Sequence, residues 1–438
     1  MTKQKHLKAR IRARMSKTGE SYATARRHVV VDEPQPESSR TGYQLRGGVH
    51  PDTAGVANTL ANHGVTSAHS GQPLSEAMIL GVGGGLGAGY ILWQFKGHDP
   101  IVTLGFRNQW QYPDRWLEKT SGRLGLNAHL EHTSGSVKAV GSLEDALASD
   151  GPRPLVWMDA QEIGYWNLPE HQSGHGGYPI VVYGEEGGRF LVDDRNSAPL
   201  SVDHETLVAA RGRVTSYRNR LVRLDSPDEI LESRLREAVE AGLADQVEHL
   251  SASSDSFSLP AWRKWSRLLL DTRHKKGWPN AFADQTGLFS VLLTVYESIE
   301  SVGFNGGSLR GLYARFLDEA AQLLGNPALE SLATSYREVD AQWSRLADTA
   351  APRTNGLFAH ARDLIDALHE HVLEEGNGGR TSAAAVASDL WGFRSHPREL
   401  LFSPDEFTGL LEDVSAQVSD IYEREKTLVS ELKAAVTQ

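Results

Sequence analysis

The pattern of hydrophobic and polar positions changes near residue 226. Before it, short apolar runs predict strands over residues 91–95, 101–106, 126–130, 155–159, 180–183, 189–192 and 214–221, with helices over 142–148 and 201–211. After it, apolar residues three and four positions apart predict helices over 262–270, 289–300, 309–324, 327–346, 355–374 and 405–435. This order predicts an α+β domain over residues 41–225 followed by an all-α domain over residues 226–438.

Residues 47–90 contain a turn, a helix, a polar loop, a second short helix and a run of glycines. Pro51 suits the start of the first helix because its missing N–H would have no partner there. Asp52 and Thr53 also suit it, since their oxygens accept from free N–H groups. Gly64 is a typical end signal, so the pattern predicts a helix from about Pro51 to Gly64.

Composition narrows the class of protein. The chain has 438 residues, 39% hydrophobic and 23% charged, which is typical of a soluble globular protein. It contains no cysteine, which excludes disulfides, thiolate metal sites and a cysteine nucleophile. No apolar run approaches the roughly 20 residues of a membrane span, and the N-terminus lacks the apolar segment of a signal peptide. We therefore expect a cytoplasmic protein without membrane contact.

Charge is uneven along the chain. Residues 1–30 carry nine Lys or Arg and one Glu, although the whole chain has a net charge of −11. The pattern predicts a basic helical arm over 1–30 and a Pro- and Ser-rich linker over 31–40. The arm has two interpretations: it binds nucleic-acid phosphates, or it folds against an acidic surface of its own chain or of a partner.

Several motifs in order carry a resemblance to a known family. They are the lead-in Gly48-Val49-His50, the helix ending at His63-Gly64, Leu74-Ser75-Glu76, Gly81 and the glycine run over 83–90. This stretch resembles the N-terminal domain of butirosin biosynthesis protein H and its relatives. The resemblance implies a papain-like fold and the transfer of an acyl group from a carrier protein to an aminoglycoside. The family pattern places its nucleophilic cysteine directly after the His, where this chain has Pro51.

A second stretch, residues 174–202, matches the family pattern of a His before an apolar strand, a tight turn, a second strand and an Asp. Here Tyr178 stands at the start of the strand, and the nearest histidine, His175, comes three residues earlier. The acidic pair is Asp193-Asp194. The nucleophile and base positions therefore both depart from the family pattern, while the acid is present.

The helical half resembles the domain that follows the first one in many relatives. The residues that carry this resemblance are Lys276-Gly277-Trp278, Gly306-Gly307, Arg310-Gly311-Leu312-Tyr313, Arg315-Phe316-Leu317 and Trp343. Together the two resemblances cover roughly residues 41–350.

The resemblance implies one site between the start of the first helix and the strand at Tyr178. The candidates are His50, Asp52, Thr53, His175 and Asp194 for catalysis, and Tyr178, Trp110 and Trp166 for ligand binding. Each has an alternative. His50 either holds an anion beside the helix start or caps the helix. Asp52 and Thr53 are equally explained as helix caps, and the aromatic residues as core.

Neither a cofactor nor a metal is predicted. Gly83, Gly85 and Ala88 match a dinucleotide-binding spacing, but they follow a helix rather than a strand, so close backbone packing explains them better. His171 and His175 are four residues apart in a Gly- and Ser-containing loop without the Glu of a zinc-peptidase motif.

Two functional hypotheses remain. In the first, the protein is a butirosin-H-like transferase homologue of secondary metabolism that binds a small acyl, peptide or amine ligand, or an acyl carrier protein, between its domains. Without a thiol, it is either inactive or lets an amine attack a thioester directly, with His175 as base and helix N–H groups holding the oxyanion.

The second hypothesis is a non-catalytic scaffold that contacts partners through the helical domain and nucleic acid through residues 1–30. The last predicted helix, 405–435, either closes the helical domain or pairs with a second copy in a homo-oligomer.

Overall fold

The computed structural model describes residues 42–395 and 401–436, so the predicted basic arm (1–30) and linker (31–40) lie outside the described residues. The strands over these residues are, in chain order, β1 (Thr66–Ser67), β2 (Leu86–Trp93), β3 (Ile101–Arg107), β4 (Asn127–Glu131), β5 (Leu155–Asp159), β6 (Gly177–Glu186), β7 (Arg189–Asp193), β8 (Leu200–Asp203), β9 (Leu221–Asp225) and β10 (Glu229–Ile230).

The α-helices over the same residues are α1 (Pro51–His63), α2 (Glu76–Val82), α3 (Pro113–Leu124), α4 (Ser136–Ala148), α5 (His204–Arg213), α6 (Glu232–Ser251), α7 (Pro260–Leu270), α8 (Trp278–Ala281), α9 (Leu288–Ile299), α10 (Arg310–Leu324), α11 (Pro327–Ala350), α12 (Gly356–His369), α13 (Arg380–Ser395) and α14 (Pro404–Val436).

A six-stranded antiparallel sheet organises the N-terminal half, with the spatial order β4-β9-β5-β6-β7-β8. β2 and β3 form a separate antiparallel pair, and β1 pairs with β10 in parallel. The α+β class is confirmed, because strands occur in the N-terminal region and the chain from α6 onward is helical.

Helix α1 packs against the sheet at β5 and β6. Gly55 faces Leu155 so closely that an added Cβ would lie 2.8 Å from its Cδ2 atom. The helix ends at Gly64, whose φ of 88° is left-handed backbone that glycine adopts without strain. A glycine on the buried face therefore lets α1 approach the sheet, and this approach fixes where its N-terminus points.

The structure differs from the sequence predictions in several places. No strand covers residues 214–221: a 3-10 turn occupies Thr215–Tyr217, Asn219 has a φ of 50°, and β9 begins only at Leu221. The helix predicted over 201–211 begins at His204, because the preceding residues extend β8. Helices α3 and α13 were not predicted, since they bury small or polar residues such as Thr120 and Ser121 rather than a continuous apolar stripe.

The core is continuous between the two halves of the chain. Trp262 and Trp343 of the helical half pack against Phe106 of β3, with ring centroids 5.5 and 5.1 Å away. Trp265 stacks on Tyr90 of β2 at 5.5 Å. The β2–β3 pair thus belongs to the N-terminal half in sequence but lies against the helices.

The last helix closes the helical domain. The inward-facing side chains of α14 are buried against α6, α7 and α11, and they include Leu411, Val414, Val418, Ile421 and Leu428. The apolar stripe that left two interpretations open in the sequence is therefore covered by the protein's own helices. None of the described helices combines the length and apolar content that crossing a bilayer requires.

Candidate functional site

A cavity of about 90 Å³ lies between the N-terminus of α1 and the first residues of β6. Its walls are formed by residues 50–52, 104–107, 110, 113, 157, 177–179, 217 and 305. The first helix and the Tyr178 strand therefore face one another across a single cavity. Asn305, from the loop before α10, adds a contribution from the helical half.

His50 caps α1 with its own side chain. Its Nδ1 atom accepts a hydrogen bond from the Asp52 N–H at 3.1 Å. Because that nitrogen accepts, the proton of the neutral ring is on Nε2. Burial, with Arg107 and Arg195 nearby, lowers the pKa of His50 well below its ordinary value. At neutral pH the ring is therefore uncharged, and its remaining polar atom is a donor.

Asp52 does not cap the helix with its carboxylate. Its Oδ2 atom accepts from the Nη2 atom of Arg107 at 2.8 Å, and Arg107 is 2% exposed. Arg107 also donates from Nη1 to the Asn108 carbonyl at 2.8 Å. Its Nε atom has no acceptor among the described residues. Asp52 thus holds a buried cation at the wall of the cavity.

Thr53 is fully buried and does not line the cavity. Its hydroxyl donates to Glu76 Oε1 at 2.8 Å. The same carboxylate accepts from the N–H groups of Val49 and His50, both at 2.9 Å. The backbone donors beside the helix start are therefore engaged by Glu76, and the Asp52 N–H is engaged by His50.

His175 lies in the loop before β6, exposed to solvent and outside the residues that line the cavity. The structure therefore does not bring this predicted base to the helix tip. The loop is held instead by Asp159, whose Oδ2 atom accepts from the Gly174 N–H at 2.9 Å.

Asp194 organises the aromatic residues on the opposite wall. Its Oδ2 atom accepts from Tyr165, Trp166 and Tyr178 at 2.8, 3.1 and 2.7 Å, and its Oδ1 atom accepts from Arg195 Nη2 at 2.9 Å. Burial and the Asp194 charge raise the pKa of Tyr178 well above its ordinary value. Tyr178 lines the cavity, whereas Trp166 and Asp194 lie outside its lining and fix the Tyr178 hydroxyl.

Trp110 lines the cavity and packs against the β2–β3 pair. An added Cβ at Gly89 or Gly105 would lie 2.6 or 2.3 Å from its ring. Part of the glycine run is thereby explained, because the Trp110 ring needs this space. Close packing also explains Gly85, where a Cβ would lie 1.9 Å from Gln246 Oε1.

Comparison with protein-family models gives two matches. The family described as butirosin biosynthesis protein H, N-terminal, matches residues 50–195, and the domain of unknown function DUF4872 matches residues 207–377. The chain therefore contains a segment similar to the butirosin biosynthesis protein H N-terminal domain, followed by a segment similar to DUF4872. Its two domains follow one another in the expected order. No curated protein matches the chain.

In this butirosin-H-like protein the first match begins at His50, the residue that caps α1, and ends at Arg195. Arg195 donates to Asp194 at 2.9 Å and to the Val49 carbonyl at 3.4 Å, and its guanidinium lies 5.5 Å from the Tyr178 ring centroid. The two ends of the matched segment therefore meet beside the cavity.

The sequence did not point to Arg220, a further buried arginine near the cavity of this butirosin-H-like protein. Arg220 is 4% exposed, and its guanidinium lies 5.0 and 4.8 Å from the ring centroids of Trp157 and Tyr217, which line the cavity. It pairs with Asp114 at 2.9 Å. An arginine at a strand end looks solvent-exposed in a sequence, so only the tertiary contacts identify it.

Among the described residues, no group of three or more His, Asp or Glu side chains is arranged to hold a metal ion.

Proposed function

We propose that this butirosin-H-like protein binds a small acyl, peptide or amine ligand in the cavity between α1 and β6, without forming a covalent acyl-enzyme. The observation that carries the proposal is that Pro51, at the position of the family cysteine, faces Tyr178 across a cavity to which the helical half also contributes. The family resemblance implies that a papain-like enzyme uses such an arrangement of helix tip against sheet, and here the residue at the helix tip has a side chain that cannot attack.

Three observations argue against a substitute nucleophile and base. Thr53 donates to Glu76 and does not line the cavity. His50 carries its proton on Nε2, so this nitrogen donates rather than abstracts a proton. His175 is exposed outside the cavity. Any transfer in this protein therefore proceeds by direct attack of an amine on a bound acyl thioester, and the protein's contribution is positioning.

Substitution of Pro51 by cysteine tests the proposal directly. A thiol at the start of α1 has a lowered pKa, because a helix N-terminus favours the thiolate. Intact-protein mass spectrometry after incubation with acyl carrier thioesters should show an acyl adduct on Pro51→Cys and none on the wild type. Pro260→Cys is the matched control, since Pro260 also begins a helix but does not line the cavity.

Two results would contradict the proposal. One is an acyl adduct on the wild-type protein, which would require a nucleophile that the cavity does not present. The other is equal labelling of Pro51→Cys and Pro260→Cys, which would show that the cavity does not concentrate acyl groups.

Adding amines to the wild-type reaction tests direct transfer: thioester consumption with amide formation is expected if the protein positions both substrates.

A further inference from the structure

Three buried arginines surround the cavity, and each is paired with one aspartate. The pairs and their N–O distances are Arg107–Asp52 at 2.8 Å, Arg195–Asp194 at 2.9 Å and Arg220–Asp114 at 2.9 Å. The formal charges of the three pairs cancel. The sign of a preferred ligand therefore depends on which polar atoms are left without partners and on the local potential.

The atoms without partners are mainly donors. Arg107 lines the cavity, and its Nε atom has no acceptor among the described residues. Arg220 Nε and Nη1 also lack an acceptor there, although Arg220 lies behind the residues that line the cavity. A buried N–H group without an acceptor is costly, so an acceptor bound beside Arg107 would relieve this cost. Asp114 Oδ1, Asn108 Oδ1 and Gln111 Oε1 are opposing cases, acceptors without a partner among the described residues, but none of these residues lines the cavity.

The electrostatic potential in the cavity also favours an anionic ligand. The pKa of His50 is lowered first by burial and then by the charges of Arg107 and Arg195, so the field at its ring disfavours a second cation. The N-terminus of α1 adds the positive end of a helix dipole at Pro51. Stacking of Arg220 on Trp157 and Tyr217 also occupies aromatic faces that would otherwise attract an ammonium group.

We infer that the cavity binds the carboxylate end of a small organic acid, with Arg107 as the recognising cation and His50 Nε2 as a second donor. This inference rests on the proposed function, because it names the ligand class of the same cavity. Of the acyl, peptide and amine ligands proposed above, it selects those that present a carboxylate. A cavity of about 90 Å³ holds roughly six water-sized groups, so the part of the ligand that enters has about that many non-hydrogen atoms.

Asp52 is the strongest opposing charge, since it lines the same cavity. Replacing Asp52 therefore tests whether the cavity prefers an anionic or a cationic ligand. In Asp52→Asn the opposing charge is removed while the shape is kept, so a carboxylate ligand should bind more tightly and an ammonium ligand less tightly. A cavity that recognises amines through Asp52 would show the reverse change.

Butyrate, butyramide and butylamine form a matched set of probes for the full chain, because they share one alkyl group and differ in charge. Saturation-transfer NMR titrations should show butyrate binding at least tenfold more tightly than either other probe. Arg107→Gln should remove this preference, and Asp52→Asn should strengthen butyrate binding severalfold. Arg115→Gln is the control that should change nothing, since Arg115 is exposed and does not line the cavity.

The outcomes separate this inference from the proposed function. If butylamine or butyramide binds as tightly as butyrate, the inference is overturned while the proposed ligand cavity stands. The same holds if butyrate binding weakens in Asp52→Asn, a result that remains decisive if Arg107→Gln does not fold. If no probe binds and Pro51→Cys acquires no acyl group, both proposals fail.

Discussion

Replacement of Glu425 by alanine should be among the most destabilising single changes in the helical half. Glu425 lies on α14, is 1% exposed and accepts from four N–H groups. Arg310 donates from Nε and Nη2 at 2.8 and 2.9 Å, while the indole nitrogens of Trp343 and Trp262 donate at 3.0 and 3.2 Å. One carboxylate therefore joins α14 to α7, α10 and α11.

The size of the destabilisation follows from the group that Glu425→Ala leaves without a partner. Arg310 is fully buried, so loss of Glu425 leaves a guanidinium without its counter-charge. Breaking a buried ion pair by removing one partner costs about 3–5 kcal/mol. The unfolding entropy of about 2.1 cal/mol/K per residue gives roughly 0.9 kcal/mol/K for 438 residues. The expected decrease in melting temperature is therefore about 3–5 °C if unfolding is a single transition.

Differential scanning calorimetry of the purified variant measures this shift. Glu423→Ala is the matched control, because Glu423 lies on the same helix and pairs with Lys426 at the surface, at 3.2 Å. An exposed pair contributes about 0–1 kcal/mol, so the control should melt within about 1 °C of the wild type. If Glu425→Ala melts together with Glu423→Ala, the buried pair does not hold the helices as argued.

Three further predictions concern the cavity, the pH response and the arm. Gly105→Ala should displace Trp110, since the added Cβ would lie 2.3 Å from its ring, and should weaken butyrate binding by NMR titration. Burial raises the pKa of Asp366 to about 6 from 3.8, so its stabilising contribution is complete at low pH and is lost as the pH rises through about 6. Denaturant titrations from pH 7 to pH 5 should therefore show a stability gain that is about 1 kcal/mol larger in the wild type than in Asp366→Asn. Deletion of residues 1–30 should abolish any retention on immobilised nucleic acid at low salt; unchanged retention would assign the binding to another surface.

The course of the first helix was predictable because its signals are local. Pro51 begins it and Gly64 ends it, as the sequence indicated. The meeting of this helix with the Tyr178 strand followed from the family resemblance. The directions of the side chains were not predictable. Thr53 turns toward Glu76, and His175 stays outside the cavity, because each depends on residues or packing that local propensity does not describe.

The two buried arginines at the cavity, Arg107 and Arg220, were not predicted for the same reason. Arg107 and its partner Asp52 are 55 positions apart in the chain, and Arg220 and Asp114 are 106 apart. In the sequence an isolated arginine at the end of an apolar run is most often solvent-exposed. Burial becomes acceptable only when a distant carboxylate and an aromatic ring meet it, and neither partner has a fixed spacing.

The residues that carried the second family resemblance gain a physical explanation from the same contacts. Arg310 and Trp343 were noted as matching positions, and both donate to Glu425, which was not singled out. The Arg310 guanidinium also lies 5.1 Å from the Phe106 ring centroid and donates to the Gly87 carbonyl at 3.3 Å. The helical domain's buried ion pair is therefore in contact with both strands of the β2–β3 pair.

This contact packs the two family domains against one another. Phe106 and Arg107 are neighbours on β3, so the strand presents one side chain to the tryptophans of the helical half and the next to Asp52 at the cavity. The loop before α10 completes the arrangement, because Phe304 stacks on Tyr178 at 5.6 Å and Asn305 lines the cavity. A cavity supported in this way depends on the helical half for its shape, although the side chains that give it charge come from the N-terminal half.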